Sequence, residues 1–329
     1  MSNRKYTIYV PILRAPEEPQ RAILGPLAEI MTGEAKTEAE LISNLQRADA
    51  ALVPGRTKIT RAVMEACPNL KLIAKYGVGV ENIDLRAATE LGIPVTNAPG
   101  VNSNAVAEMT IGLMLAVMRR IQFARELIRS GTWEDETSLG RELIGSTVGI
   151  VGYGNIARLV IRKLQGFEVR RILVFTESKR LQSPEFPNVA PVGLEALLKE
   201  SDIVSIHKAL TPQSRGMIGE SELKLMKSSA FLINTSRGAL VEEASLLKAL
   251  QERGIAGAAL DVYEQEPLSS RSPFLSMNHV VLTPHIGGAT HETRERMVTT
   301  MAQNIADFLT GKGIDPRYQV NPEAFPGRG

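Results

Sequence analysis

The sequence predicts an α/β protein built on parallel sheets, and two observations support this class. Short apolar runs alternate with helix-like segments almost from end to end, and a glycine-rich turn stands where one run passes into a helix-like segment. Parallel strands buried on both faces have continuous apolar sequences and need a crossover segment, usually a helix, between them. The alternation therefore favours sheets that are covered by helices on both faces.

The individual elements follow from the pattern in chain order. Nine apolar runs are interpreted as strands: residues 7–10, 50–53, 71–75, 148–151, 172–175, 203–207, 230–234, 256–260 and 279–282. Five intervening segments are interpreted as helices: residues 38–47, 156–165, 194–200, 220–227 and 243–252. Within 156–165, for example, Ile156, Val160 and Leu164 recur at helical spacing and share one face.

Two longer helical stretches, residues 103–131 and 291–311, interrupt the alternation. We interpret them as the connections between two domains, because each is too long for an ordinary crossover helix. The predicted boundaries are 1–103 with 289–329 for the first domain and 104–288 for the second. A chain of 329 residues agrees with about two domains.

The composition excludes several classes of protein. A net charge of +2 is too small to indicate a nucleic-acid partner, and no run has the length of about 18 apolar residues that a membrane span needs. The single cysteine, Cys67, permits no intramolecular disulfide and agrees with a reducing compartment. Pro11 interrupts the N-terminal region before a signal-peptide core forms. We expect a cytoplasmic protein with no membrane, nucleic-acid or metal partner.

The glycine-rich turn "GIVGYGNIA" (149–157) has the context of a dinucleotide fingerprint: an apolar run, a turn and a helix. Gly152 permits the tight turn, and Gly154 has no side chain to obstruct a pyrophosphate. The amides that follow, from Asn155 and Ile156 onward, begin a helix whose dipole favours an anion. A plain structural turn explains the same glycines, so this motif alone does not decide the function.

An acidic residue that binds the adenosine ribose is expected about 20 residues further on. The sequence there is "ILVFTESKR" (172–180), with Thr176 near the expected position and Glu177 after it. Glu177 favours NAD, because a carboxylate accepts from both ribose hydroxyls. Lys179 and Arg180 would instead suit the 2′-phosphate of NADP, so NADP stays open.

Four charged residues follow apolar runs of the second domain. Arg237 comes after one run, Asp261 and Glu266 after the next, and His285 after a third. Ligands of parallel α/β sheets bind outside the carboxyl ends of the strands, so these residues are expected around one crevice. Each has an ordinary alternative as a solvated, capping or structural residue, and it is their common position that indicates a site.

Together these residue types suit the reduction of a keto acid by hydride transfer. His285 can donate a proton near neutral pH, and Glu266 beside it would keep the imidazole charged. Arg237 can hold a carboxylate through two parallel N–H bonds. Asp261 is a plausible partner for the carboxamide of nicotinamide.

Seven segments in this order resemble the D-isomer-specific 2-hydroxyacid dehydrogenase family, over roughly residues 45–312. They are "YGVGVENIDL" (76–85), "NAPGVNSNAVAE" (97–108), "LIGSTVGIVGYGNIA" (143–157), "SDIVSIHKALTPQSRGMI" (201–218), "INTSRGALV" (233–241), "ALDVYEQEPL" (259–268) and "LTPHIGGAT" (282–290). The resemblance implies two lobes, one flavodoxin-like and substrate-binding, the other a dinucleotide-binding Rossmann domain, with the active site in the cleft between them.

The resemblance also implies roles for particular residues. Arg237 would be the substrate-binding catalytic arginine, Glu266 the residue that orients the histidine, and His285 the proton donor. Val78 and Gly79 would offer backbone amides to the substrate carboxylate. Further cofactor contacts are implied for Asn155, Ile156, Lys208, Thr235, Ser236, Asp261 and Gly288.

The oligomeric state follows from the same resemblance. Members of the family are commonly dimers, and Trp133 resembles their interface tryptophan, although a residue that packs against a helix end would look the same. We expect no counterpart of the C-terminal regulatory domain of longer phosphoglycerate dehydrogenases, and therefore no feedback by serine through such a domain.

The particular 2-hydroxy acid stays open. The loop after Lys75 looks most like that of phosphoglycerate dehydrogenases, where Lys75 and Arg56 would approach a substrate phosphate, unless both are simply solvated. Hydroxypyruvate, glyoxylate, phosphite or a phosphonate-bearing keto acid are alternatives.

A different class of protein similar to this family is the NAD(H)-sensing corepressors, which bind peptides. A corepressor would be expected to have an exposed peptide groove and disordered tails. The sequence shows no long tail. An unrelated flavin or S-adenosylmethionine protein would leave Arg237, Glu266 and His285 unexplained.

Overall fold

The computed structural model describes residues 5–11, 17–55, 57–133, 136–177 and 186–325. It divides into two compact units, residues 1–102 with 289–329 and residues 103–288. Each unit is built around its own parallel β-sheet. The predicted α/β class with two parallel-sheet, Rossmann-like units is confirmed.

The strands are β1 (Tyr6–Pro11), β2 (Ala28–Gly33), β3 (Ala50–Val53), β4 (Leu72–Lys75), β5 (Val95–Thr96), β6 (Thr147–Val151), β7 (Arg171–Phe175), β8 (Val189–Pro191), β9 (Ile203–Ile206), β10 (Phe231–Asn234), β11 (Gly257–Leu260) and β12 (Val280–Leu282). The helices are α1 (Glu17–Leu24), α2 (Glu38–Leu45), α3 (Arg61–Glu65), α4 (Leu85–Glu90), α5 (Ser103–Met118), α6 (Ile121–Arg129), α7 (Asn155–Leu164), α8 (Leu194–Glu200), α9 (Glu220–Leu225), α10 (Glu243–Gln251) and α11 (His291–Leu309).

The sheet of the first unit has the strand order β2-β1-β3-β4-β5. This is the order 2-1-3-4-5 of flavodoxin-like folds. One face packs against side chains of α2, α3 and α4, such as Leu45 and Val63, and the other against side chains of α1 and α11, such as Leu24 and Met301. Apolar strand residues are therefore buried on both sides, as the continuous runs predicted.

The sheet of the second unit has the order β12-β11-β10-β9-β6-β7-β8, and every strand pair is parallel. Helices α5 and α7 cover one face, while α8, α9 and α10 cover the other. The direction of winding reverses between β6 and β9, which are neighbours in the sheet. A crevice for a ligand opens at such a switch point, outside the carboxyl ends of the two strands.

Local sequence explains where several helices begin. Thr37 and Glu40 form a reciprocal capping box at the start of α2, and Thr290 accepts from the amide of Thr293 at the start of α11. Helix α7 differs, because its N-cap residue is Gly154 and no side chain caps it. Its first amides therefore have no acceptor from a capping side chain, a feature that bears on the site below.

The stretch predicted as one helix over 103–131 is two helices. Helix α5 ends at Met118, and Arg120 adopts a left-handed conformation with φ of 53° before α6 begins. Ten of the residues of α5 are buried, whereas α6 has no buried residue. The chain thus leaves the core of the unit at Arg120, without a glycine or proline to mark the break. The other long helix, predicted over 291–311, is present as α11.

Three strands were missed. Strand β2 is partly exposed along its length, β5 has two residues, and β8 has three and ends in Pro191. None of them has the continuous apolar run that indicated the other nine. Among the helices of the described ranges, none combines the length and the apolarity needed to cross a membrane.

Candidate active site

The glycine-rich turn connects β6 to α7 at the switch point of the second sheet. Gly152 has φ of 102°, and a Cβ there would collide with the carbonyl oxygen of His207, which follows β9. Glycine is therefore required twice, by its conformation and by the close approach of the two backbones. His207 is itself buried, and burial lowers its pKa to about 4, so the imidazole below the turn is neutral.

The residues of the turn suit a pyrophosphate. A Cβ at Gly154 would project into open space, with no other atom within 4 Å. The first turn of α7 begins at Asn155 and Ile156 without a capping side chain, and Ala157 is fully buried against the sheet. An anion in front of this helix would meet unpaired amides and the positive end of the helix dipole.

The predicted ribose-binding position lies at the carboxyl end of β7. Thr176 and Glu177 directly follow that strand, and the Glu177 carboxylate pairs with Nζ of Lys208 at 2.9 Å. Lys208 follows β9, so the structure brings together two residues that were predicted independently. Lys179 and Arg180, the alternative phosphate partners, lie outside the described residues.

The loop after β10 carries Thr235 and Ser236. Ser236 donates its hydroxyl to the carbonyl of Ile206 at 3.0 Å. Thr110, on α5, donates its hydroxyl to the carbonyl of Val106 at 2.8 Å and lies 2.9 Å from the hydroxyl of Thr235. Because Thr110 has only one hydroxyl proton, Thr235 must be the donor in this pair. The hydroxyl of Thr235 can therefore only accept from a ligand, and Thr110 is a residue that the sequence did not reveal.

His285 and Glu266 form a hydrogen-bonded pair, although 19 positions separate them. Nδ1 of His285 lies 2.7 Å from Oε2 of Glu266, and the amide of Tyr263 donates to the other carboxylate oxygen at 3.2 Å. The hydrogen bond to Glu266 raises the pKa of His285, against the opposing effect of burial. Burial raises the pKa of Glu266, but the hydrogen bond and charge of His285 lower it more, so it lies below its usual value.

Arg237 lies beside this pair. Its charge is close enough to contribute to lowering the pKa of both Glu266 and His285, after the larger effects just described. One guanidinium nitrogen donates to the carbonyl of Ser236 at 2.8 Å. The next residue, Gly238, lies against the backbone of Tyr263 and Glu264, where a Cβ would overlap main-chain atoms. This close approach holds the arginine next to the loop that carries Glu266.

Asp261 lies at the end of β11 and is 1% exposed. Its carboxylate accepts from Thr283, Ile286 and Gly287, so it contacts the loop that carries His285. Gly288 ends this loop and is half-buried. The four charged residues predicted around one crevice, Arg237, Asp261, Glu266 and His285, thus lie together in the second unit.

The predicted substrate loop follows β4 in the first unit. Carbonyls of Gly77 and Val78 accept from the amide of Ala98 at 3.0 Å and from the side chain of Asn97 at 2.7 Å. Among the backbone–backbone bonds of the described ranges, none is donated by the amides of Val78 or Gly79. Lys75 is 3% exposed and donates to the carbonyl of Tyr76 at 3.2 Å. Arg56 lies outside the described residues.

Comparison with known proteins identifies the class. Residues 111–287 match the family described as D-isomer specific 2-hydroxyacid dehydrogenase, NAD binding domain. The chain is 42% identical to a glyoxylate reductase of Thermofilum pendens, over 95% of this chain and 94% of that protein. It is 38% identical to a D-3-phosphoglycerate dehydrogenase of Methanocaldococcus jannaschii, over 88% of this chain but 55% of that protein. The crystal structure of a glyoxylate reductase from Paecilomyes thermophila superimposes with a TM-score of 0.87 at 29% identity, covering 98% of this chain and 100% of that one.

The chain therefore belongs to the D-isomer-specific 2-hydroxyacid dehydrogenase family. It is an NAD-dependent oxidoreductase that interconverts a 2-hydroxy acid and the corresponding 2-keto acid. The resemblance seen in the seven sequence segments is confirmed at this level, as is NAD as cofactor.

Proposed function

We propose that this enzyme reduces glyoxylate and similarly small 2-keto acids, such as hydroxypyruvate, with NADH. For the substrate, the support is the similarity to a glyoxylate reductase along 94% of that protein's length, whereas the phosphoglycerate dehydrogenase relative is matched over 55% of its length. For the chemistry, the observation that carries the proposal is the His285–Glu266 pair at 2.7 Å with the charge of Arg237 beside it.

The proposed roles follow from this geometry. When bound, the nicotinamide supplies the hydride that the keto carbon accepts. Arg237 holds the substrate carboxylate through two N–H bonds and so fixes the position of that carbon. His285 keeps Nδ1–H on Glu266 and gives the proton on Nε2 to the keto oxygen as it becomes a hydroxyl. Glu266 stabilises the charged imidazole before this transfer and fixes its tautomer after it.

The cofactor contacts are proposed from the same unit. Gly152, Gly154, Asn155 and Ile156 would receive the pyrophosphate, and Thr176 and Glu177 would lie at the adenosine ribose with Lys208 beside them. Thr235 and Asp261 both present acceptor oxygens, which suits the amino group of the carboxamide. Ser236 and Gly288 would contribute backbone contacts. Val78 and Gly79 are proposed to offer their amides to the substrate carboxylate, with Lys75 buried at the base of their loop.

The proposal is tested by the rate of NADH oxidation with a panel of 2-keto acids: glyoxylate, hydroxypyruvate, pyruvate and 3-phosphohydroxypyruvate, each repeated with NADPH. We expect the highest kcat/KM with glyoxylate or hydroxypyruvate and NADH. A clear preference for 3-phosphohydroxypyruvate would contradict the substrate assignment while leaving the reaction class intact. Absence of turnover with every keto acid would contradict the assigned roles of the catalytic residues.

Glu177→Gln is expected to weaken the preference for NADH over NADPH. The neutral amide loses part of its affinity for the ribose hydroxyls, and it releases Lys208, now 2.9 Å away, to meet a 2′-phosphate. We expect KM for NADH to rise about fivefold, the scale of the difference between a charge-assisted and a neutral hydrogen bond, and KM for NADPH to fall. Glu195→Gln removes a comparable exposed pair with Lys199 and serves as the control. Equal KM values for NADH in Glu177→Gln and wild type would refute a ribose contact.

We also propose that the enzyme is a homodimer and that the apolar arm, defined here as residues 121–133 and 136–144, forms its interface. Helix α6 has no buried residue, and its apolar residue Ile128 is 65% exposed. Trp133, which lies just after this helix, is 86% exposed. Ile121, Leu139 and Ile144 are also exposed in the same arm. Apolar side chains grouped in this way usually mark a protein interface. A second copy of the chain offers the same arm, which suits a two-fold symmetric contact.

Ile128→Asp should therefore shift the protein from dimer to monomer. A carboxylate in an apolar interface has to be desolvated, which opposes association. The measurement is the molar mass in solution by light scattering, with Leu275→Asp as control, because Leu275 is also exposed but lies outside the apolar arm. A wild-type protein that is monomeric, or an Ile128→Asp variant that stays dimeric, would contradict the proposed interface.

A cytoplasmic location is also proposed, and the free Cys67 supports a reducing compartment.

A further inference from the structure

The backbone of the proposed proton donor is held in an unusual conformation. His285 has φ of 56°, in the left-handed region that residues other than glycine rarely adopt. Its amide donates to the carbonyl of Thr283 at 3.1 Å, across Pro284. Residues in this region persist at functional sites only when the surrounding structure fixes them.

The carboxylate of Asp261 binds the chain on both sides of His285. One of its oxygens accepts from the hydroxyl of Thr283 at 2.6 Å and from the amide of Ile286 at 2.9 Å. The other accepts from the amide of Gly287 at 2.8 Å. The donors precede and follow the histidine along the chain, so the carboxylate closes a loop around it.

Asp261 is itself fixed in place. Its amide donates to the carbonyl of Asn234 at 3.0 Å, which anchors it to β10, and its side chain lies beneath the loop, away from solvent. A Cβ at Gly287 would come within 2.9 Å of a carboxylate oxygen, so glycine permits the loop to approach this closely. A buried carboxylate with three donors is a rigid support, because each bond is charge-assisted.

We propose that Asp261 and Thr283 act as a positioning pair that holds His285 in its left-handed conformation and keeps its imidazole against Glu266. This inference rests on the proposed function, in which His285 is the proton donor. It is separate from a contact between Asp261 and nicotinamide, since three bonds leave a carboxylate with one further acceptor position. Thr283 distinguishes the two roles, because its hydroxyl donates to Asp261 and it is not among the proposed cofactor or substrate contacts.

The test compares Thr283→Val, which keeps the shape and removes the hydroxyl, with Thr283→Ser, which keeps the hydroxyl. We expect Thr283→Val to lower kcat about tenfold, the scale on which small misplacements of a catalytic group act, while the Kd of NADH measured by fluorescence without substrate stays within about twofold. Thr283→Ser should restore most of kcat. Thr310→Val removes a comparable hydroxyl bond, to the carbonyl of Ala306 at 2.8 Å, and is the matched control.

A second readout does not depend on turnover. The imidazole of His285 is faced by Glu266, Asp261 and Arg237, and the sequence contains four histidines, so its NMR titration can be assigned by difference from a His285→Gln sample. Loosening the contact with Glu266 in Thr283→Val should lower the pKa of His285 relative to wild type and to Thr310→Val.

The outcomes separate the two proposals. An unchanged titration of His285 together with unchanged kcat in Thr283→Val would overturn the positioning role, as would a rise in the Kd of NADH with no change in kcat. A shifted titration in a protein that reduces none of the keto acids would support the positioning pair and contradict the proposed function instead.

Discussion

His285→Gln is expected to reduce kcat for keto-acid reduction by about a thousandfold, within the range that general acid catalysis contributes. Glutamine keeps a polar side chain near Glu266 but has no proton that it can release to the keto oxygen. KM should change little, since the substrate carboxylate is assigned to Arg237. The measurement is steady-state NADH oxidation at saturating glyoxylate.

The pH dependence of turnover provides a second test of the role of His285. Contact with Glu266 raises the pKa of His285 above its ordinary value, and reduction needs the protonated imidazole. Wild-type activity should therefore be retained below this pKa and fall as pH rises through it, and His285→Gln should lack that decline. His279→Gln is the control, because His279 lies in the same unit with its ring 3.3 Å from the carbonyl of Leu250. Near-normal turnover in His285→Gln would show that another group supplies the proton.

Arg237→Gln should lower kcat/KM by about three orders of magnitude, because it removes both the charge and the paired N–H groups that hold the substrate carboxylate. Arg237→Lys keeps the charge but not the planar pair of donors. Its kcat/KM should therefore be about tenfold higher than that of Arg237→Gln but still well below that of wild type. The values come from kcat/KM with glyoxylate over a range of concentrations.

A control for the arginine series is Arg215→Gln, an exposed residue on the loop before α9. It should behave as wild type. If Arg237→Lys were as active as wild type, simple charge attraction would suffice and two-point binding would be excluded. If Arg237→Gln changed kcat alone, with KM unaffected, the arginine would act on the reacting carbonyl and not on the carboxylate.

Most of the fold was predictable because its strands are buried on both faces. Ala50–Val53 and Ile203–Ile206 have all residues buried, and their apolar runs gave bounds within a residue of those observed. Ala28–Gly33 was missed because a partly exposed edge strand needs no continuous apolar run. The break at Arg120 was missed because it arises from where the chain leaves the core, not from a local helix breaker.

The charged residues of the candidate site were predictable because parallel strands bring their carboxyl ends to one edge. Arg237, Glu266 and His285 each follow such a strand, and the structure places them together. Thr110 and Thr283 were not predictable in this way. Thr110 contacts Thr235 across 125 positions, and Thr283 contacts Asp261 across 22. The hydrogen-bond partners of these two hydroxyls are therefore known only from the folded chain.

The absence of a side chain at Gly238 has a consequence for how the charged groups of the candidate site are held relative to each other. The main chain of Gly238 lies directly against that of Tyr263 and Glu264, so the segment with the Arg237 guanidinium contacts the segment with the Glu266 carboxylate. The distance between the two groups is therefore fixed in part by this main-chain contact, and not by the conformation of each loop alone. Under the roles proposed above for Arg237 and Glu266, substrate binding energy is not needed to bring these two groups together.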